Sequence, residues 1–541
     1  MIRPFRFTAA LLVGLALAPV GILSAATSNP RSDYERDFQK TVAVKAGQRL
    51  EIEHSQGAVR IATHKIPEVR ITAKIRVSSS DEVEGKKFGE AILISVEETS
   101  TAILVRTKYP EKKWTFSGTG HISFSVDYEI VMPEATALSL RDKFGDVSVE
   151  GLKAAATVSN ANGRIAVRDG SGAQKLENAF GSVDVAHVAG DVDISCSNGG
   201  VSVVEIEGPI SVRNRFGAVV AKKVRGKVTV NASNGNILVE DAGGPGSITG
   251  SFGRVDVRNL TGSLEVQNSN GAVSVSRVSG GVTARNSFGP VELSETGGSV
   301  DVQNSNGKIR VRDVKGSANL KTSFGEIDAV GIPGDATVVN SNSSITLGNV
   351  GGMADVRGSF GKIMVTRAQK GAKVIGENSG VTVADIGGTT FVKTTFGLVE
   401  AARIDGDLTV ENSNGAVKGA TVRGGANVRT SFGPVWLDGI GGRIDVDNQN
   451  GSVEVRGLPG RSAKCLPVSV KSSFSSIRVF LPEDAGFTIN ARTSFGKINS
   501  EIPLSISGSM SSDALNGKIG DGRCDLTLAN SNGNIDLVKG K

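Results

Sequence analysis

The residues of this chain that could do chemistry are a recurring set of acids, four histidines and three cysteines. Glu292 and Asp328 are the most suggestive acids. A glycosidase needs two carboxylates at a defined separation. If the chain returns on itself every 18 residues, this pair lies two coils apart, roughly 10 Å at the spacing of strands. The same kind of acid recurs along the chain, however, and no distinctive loop builds a cleft around these two. His54, His64, His121 and His187 have no metal-ligand spacing and no cysteine pattern beside them. His54 and His64 could be neighbours in the fold. No Gly-x-Ser-x-Gly elbow occurs in a strand-to-helix setting. Calcium-binding β-rolls also use 18-residue coils, but they need an Asp at a fixed turn position, and no such Asp recurs. The chain therefore reads as a non-enzyme with no catalytic, cofactor-binding or metal-binding residue and no cofactor. A polysaccharide-processing β-helix enzyme is the rival reading.

The elements that would position these groups come from an internal repeat. Phe144, Phe180, Phe216, Phe252, Phe288, Phe324, Phe360, Phe396 and Phe432 are 36 residues apart, each followed by Gly. Midway between them stand Asn162, Asn198, Asn234, Asn270, Asn306, Asn342, Asn378 and Asn414, with Asn450 after the last Phe. The unit is 18 residues, with Phe and Asn alternating at one place. Three residues later comes a β-branched residue in every unit, from Val147 and Ile165 to Val453. A weaker period of nine runs inside the unit. Gly271-Ala272-Val273-Ser274-Val275 is one half and Gly280-Gly281-Val282-Thr283-Ala284 the other. Each half predicts a short strand with two inward side chains, followed by a turn.

One such unit cannot bury its apolar face alone, but a stack of them can. The expected fold is all-β: a parallel β-solenoid (β-helix) of 18-residue coils, about 85 Å long at the strand spacing. A six-residue frame fails, because the apolar positions of the Asn270 unit are Val273, Val275, Val278, Val282 and Ala284. The Phe/Asn position reads as a structural corner. Phe supplies apolar volume there and Asn forms the turn. Two residues earlier, Asn268, Asn286 and Asn304 fall in successive coils and predict an amide ladder along the axis.

Residues 1–26 read as a signal peptide. Arg3 and Arg6 precede an apolar run from Ala9 to Leu23, and Ser24-Ala25-Ala26 offers a cleavage site. Residues 27–33 read as a flexible leader. The region 27–140 is β-rich without the strict frame and reads as an N-terminal cap, with a short helix over 81–91 and longer strands over 91–105 and 121–131. Residues 141–460 are the regular array. Residues 461–541 form further, wider coils and a C-terminal cap. Cys465 and Cys524 both lie there and could pair if a loop reaches across about three coils. Cys196 stands where its neighbours carry Asn and reads as a small core residue.

Removing Arg3 and Arg6 takes the formal charge from +6 to +4. Lys308, Arg310 and Arg312 line one strand, but Asp256, Glu292, Asp328 and Glu400 recur on the same face. No single-sign stripe forms, so nucleic acid is not an expected partner. Val220, Leu238, Met364, Phe391 and Trp436 are outward apolar residues available for contact.

Three features carry a family resemblance. They are the entry Val126-Asp127-Tyr128-Glu129-Ile130-Val131-Met132-Pro133, the series of Gly-x-Val-x-Val coils, and the ending Leu515-Asn516-Gly517-Lys518-Ile519-Gly520 through Asn532-Gly533-Asn534-Ile535. Together they resemble the bacterial "putative adhesin" family of β-strand-repeat domains of unknown function. The resemblance implies a surface or envelope protein with no catalytic residues to carry over. The expectation is an exported, non-catalytic scaffold, adhesin-like or structural, in the periplasm, at the cell surface or secreted. Its partner would be an envelope protein or a glycan, and no integral membrane segment remains after signal cleavage.

Overall fold

The computed structural model describes residues 32–110, 122–460, 465–506 and 511–540. The signal-peptide expectation lies outside them, as does His121. The chain winds into a parallel β-solenoid of about 18 turns, each close to 18 residues. Every regular turn gives one strand to each of two sheets. In the central turn these are Val282–Phe288 and Val291–Thr296. Val282–Phe288 pairs in parallel with Leu264–Asn270 on one side and Val300–Asn306 on the other, with Asn270, Phe288 and Asn306 in one row.

Each strand buries three side chains rather than the two expected. Val282, Ala284 and Asn286 point inward from one sheet, and Val291, Leu293 and Thr296 from the other. The third inward residue of the second strand is reached by a local twist. Arg277 (φ 54°), Glu295 (φ 53°) and Asp313 (φ 53°) adopt left-handed backbone, as do their counterparts in most turns. Two outward residues therefore follow one another, and the next side chain turns back into the core. This conformation explains the three-residue step from Val275 to Val278. Stacked Val, Leu and Ile fill the interior, each contributing about 1.5–3 kcal/mol on full burial.

The N-terminal end is covered. Strands Ser32–Ala43, Glu68–Ser79 and Ile122–Pro133 pair antiparallel, and the last runs parallel to Val59–His64, which joins the first regular turn at Val147. The first strand begins inside the segment expected to be a flexible leader. The helix forms at Glu82–Ala91, capped by Asp81, whose carboxylate accepts from the backbone N–H of Val83 and Glu84 at 2.9 and 3.2 Å. Its Phe88 packs on Phe124. The segment 91–105 is two strands, Leu93–Glu98 and Ala102–Lys108, rather than one. This antiparallel addition shields strand edges that would otherwise template end-to-end association.

The C-terminal end departs from simple winding. Strand Cys524–Asn532 sits between Val468–Phe474 and Phe487–Thr493, parallel to both. The chain thus inserts a late strand between two earlier ones, where wider coils were expected. Cys465 and Cys524 are joined by a disulfide with Cα atoms 5.4 Å apart. The loop does reach across, because the late strand is brought back beside residue 465.

Candidate interaction surface

The corner Phe residues are not core. Phe144, Phe180, Phe216, Phe252, Phe288, Phe324, Phe360, Phe396, Phe432 and Phe474 are each 45–57% exposed. Strand parity predicts Phe288 as an inward residue, but the interior is only three side chains wide. Asn286 closes it: its Nδ2 donates to the carbonyls of Phe288 and Gly289 at 3.0 and 3.1 Å. The fourth position therefore lies past the rim. Phe rings stand out there at every second turn, about 9.6 Å apart. Most of the intervening Asn side chains lie down. Nδ2 of Asn162, Asn198, Asn234, Asn270, Asn306 and Asn342 each donates to a backbone carbonyl in the preceding Phe turn, at 3.1–3.4 Å. The alternation survives the C-terminal insertion, since Asn450, Phe474 and Asn532 occupy consecutive rungs. The result is a ridge of aromatic knobs and low amide gaps, interrupted in its strand pairing only at Phe324, which follows the shorter strand Ala318–Thr322. A polar groove flanks it, lined by residues such as Ser251, Gln267, Ser287, Gln303 and Lys321.

The expected amide ladder takes a different form. Asn268, Asn286 and Asn304 are buried and stacked, but their amides do not bond to one another. Each donates to the glycine carbonyl of the previous turn: Asn268 to Gly253 (3.3 Å), Asn286 to Gly271 (3.0 Å) and Asn304 to Gly289 (2.8 Å). The column thus fastens turn to turn through backbone oxygens. Cys196 occupies the same place, buried, with Sγ directed at the carbonyls of Gly181 and Gly199 at 3.6 and 3.7 Å. Asn286→Ala is expected to cost about 1–3 kcal/mol by leaving buried carbonyls without a donor. Phe288→Ala is expected to change the stability of the single chain by no more than about 0.5 kcal/mol, as exposed substitutions do. Thermal melting of the two variants beside the parent checks both.

At its N-terminal end the inward column becomes titratable. Asp142 stands one turn before Asn160, and His54 lies beside it on the neighbouring strand. Burial pushes the Asp142 carboxyl up to about 6, against the opposing pull of the Lys143 and Phe144 backbone N–H groups. Burial also lowers His54 to about 4. His54 Nδ1 lies 3.3 Å from both the Thr107 hydroxyl and the Tyr109 hydroxyl. A carboxyl raised on folding gives stability that is complete below its unfolded pKa and is lost as the pH rises towards 6. Asp142→Asn, which restores the residue type of the next turns, is therefore expected to raise the melting midpoint at pH 7.5. The gain should vanish near pH 4. For His54 the sign is opposite: its contribution is whole above 6.5 and falls as the pH drops towards 4.

No family model matches the chain, and no curated protein matches it. Among solved structures, a "putative cell adhesion protein" from Clostridium sporogenes ATCC 15579 aligns at 12% identity. The alignment covers 38% of this chain and 99% of that one, with a TM-score of 0.22. The family resemblance therefore rests on the motifs quoted above.

The remaining candidates are dispersed. Arg310 stands between Glu292 and Asp328, 3.1 and 3.7 Å from their carboxylates, and Arg312 also pairs with Asp328 at 2.5 Å. The two acids belong to a surface ion-pair ladder rather than to a facing acid and base. His54 and His64 have separate partners, His64 Nε2 lying 2.8 Å from the Glu68 carbonyl. His187 bridges Asp169 (2.9 Å) and Glu205 (3.3 Å) across three turns. Val220, Leu238, Met364 and Phe391 are half-buried on the flat faces, and Trp436 is exposed with Lys418 Nζ 5.9 Å from its ring. Among the described residues no group of three metal-ligating side chains forms, and no helix is long and apolar enough to cross a membrane. Sequence reading chose the right corner but missed its exposure; the signal available was the three-residue-wide interior implied by Val273, Val275 and Val278.

Proposed function

We propose that this chain is an exported, non-catalytic scaffold of the bacterial envelope, adhesin-like in the sense that it works through a long rigid contact face. The observation that carries the reading is the Phe/Asn ridge. Ten half-exposed aromatic rings in one line spend solubility without adding core, which is the mark of an interaction surface. The Cys465–Cys524 disulfide supports export, because structural disulfides persist in oxidising compartments. Many weak contacts along a rigid rod can sum to strong binding. An envelope protein or glycan would be the partner at the outward faces.

The test is co-sedimentation of the protein lacking residues 1–26 with isolated envelope fractions and insoluble polysaccharides, with released sugar assayed in the supernatant. Saturable binding without release is the expected outcome. Sugar release abolished by Glu292→Gln or Asp328→Asn would replace the scaffold by a polysaccharide-processing enzyme.

A further inference from the structure

We infer that the Phe/Asn ridge is a homodimer interface: two copies of this chain lie side by side and antiparallel, each seating its Phe rings in the Asn gaps of the other. The inference rests on the scaffold reading and names one partner for its contact face.

The area is sufficient. A Phe side chain offers about 150–250 Å², so ten rings at half exposure present roughly 1,000 Å² on each copy, against about 800 Å² per partner in a standard interface. The largest apolar patch of an ordinary monomer is about 300–600 Å². The spacing selects the occupant. Twenty rungs from Phe144 to Asn532 repeat at the strand-to-strand distance, and a second copy carries the same repeat with no cumulative mismatch. An extended peptide presents one face every two residues, about 6.7 Å, and falls out of step at once. A polyproline II segment repeats at about 9.3 Å and drifts about 3 Å over nine intervals.

The alternation then fixes the symmetry. A two-fold axis parallel to the rods sets each Phe against its own counterpart, ring on ring. A two-fold axis across the rods reverses one ridge. With the twenty rungs fully overlapped, every Phe faces an Asn, Phe324 of one copy meeting Asn306 of the other. Such an isologous contact closes as a dimer and does not propagate. In the column beside the ridge Ser182 meets Ser452, Gly200 meets Pro434, and Ala218 meets Ala416, all small, while the longer Arg254 and Lys362 face Gly380 and Ala272, which leave them room. Nearest the axis Lys308 meets Glu326, a pair already 2.9 Å apart within one chain and able to exchange partners.

Sedimentation velocity of the protein lacking residues 1–26 tests this, beside the triple variant Phe288→Ser/Phe324→Ser/Phe360→Ser. The parent is expected at twice the mass of one chain, and the variant at single mass with a dimer dissociation constant at least a hundredfold higher. A far-ultraviolet circular dichroism spectrum that matches the parent's shows that the variant is folded. Register is read by oxidation of single cysteine variants. Asn306→Cys lies within about 5 Å along the axis of its own counterpart and should give a disulfide-linked dimer. Asn162→Cys, about 80 Å from its counterpart, should not. A parent that is monomeric at 100 µM overturns the inference, as does a dimer indifferent to the three substitutions. A monomer whose co-sedimentation with polysaccharide is lost in the triple variant also overturns it and assigns the ridge to a glycan. In that case the scaffold reading stands.

Discussion

Replacing Cys465 and Cys524 together by serine is expected to remove about 4 kcal/mol from the C-terminal end of the rod. The bond closes a loop of 59 residues in sequence separation, and the chain-entropy cost of leaving that loop open is of this size. The effect should be local. In a stack whose turns touch only their neighbours, loss at one end does not spread along the array. Hydrogen exchange is the informative measurement: amides of 468–474 and 524–532 should lose protection in the variant, while those of the central turns keep theirs. Reduction of the parent protein should reproduce the change. Equal loss throughout the chain would mean that the rod unfolds as one unit.

Gly307→Ala is expected to cost about 3 kcal/mol, the upper part of the range for forcing volume into a packed site. The corner glycines stack directly on one another. A Cβ at Gly307 would fall well inside contact distance of the Gly289 carbonyl oxygen and 2.6 Å from Asn304 Nδ2, the amide that already holds that oxygen. Neither can yield, since one is backbone and the other is its partner. Position 343, which carries Ser in the corresponding place, gives the control: Ser343→Gly should be neutral or mildly stabilising. Chemical denaturation followed by circular dichroism compares the two. A Gly307→Ala variant as stable as the parent would show that the glycine column tolerates a side chain along its length.

The architecture was legible because its cause is local and repeated. The 18-residue return of Val291, Ile309 and Ile327 can be satisfied only by stacking, so period alone implies parallel strands. What escaped sequence reading has causes that no residue type announces. The left-handed backbone falls on Asp, His, Glu, Lys, Asn, Arg and Thr alike, because the fold imposes it rather than the side chain preferring it. The exposure of the Phe row depends on how wide the interior is, and that width is set by the third inward residue of each strand. The amides of Asn286 and Asn304 were correctly placed as a column, but the acceptor, a glycine carbonyl 15 residues back, is visible only once turns are stacked. The Cys465–Cys524 bond became predictable only with the out-of-order strand, a topological choice hidden from any periodicity.

That out-of-order strand sets a sequence of events in assembly. A chain emerging from its N-terminus can lay turn upon turn as far as Asn450, each new strand finding its partner already in place. Strand Val468–Phe474 then has one neighbour and waits for the other, while Phe487–Thr493 has no place to dock in its final position. Both are completed by the same late piece, Cys524–Asn532. The rod therefore grows progressively but finishes in a single closing step, and residue 465 meets its cysteine partner only when that step is made. A chain interrupted before residue 524 would leave Val468–Phe474 and Phe487–Thr493 without the strand that lies between them, and the tip of the rod would keep an open edge.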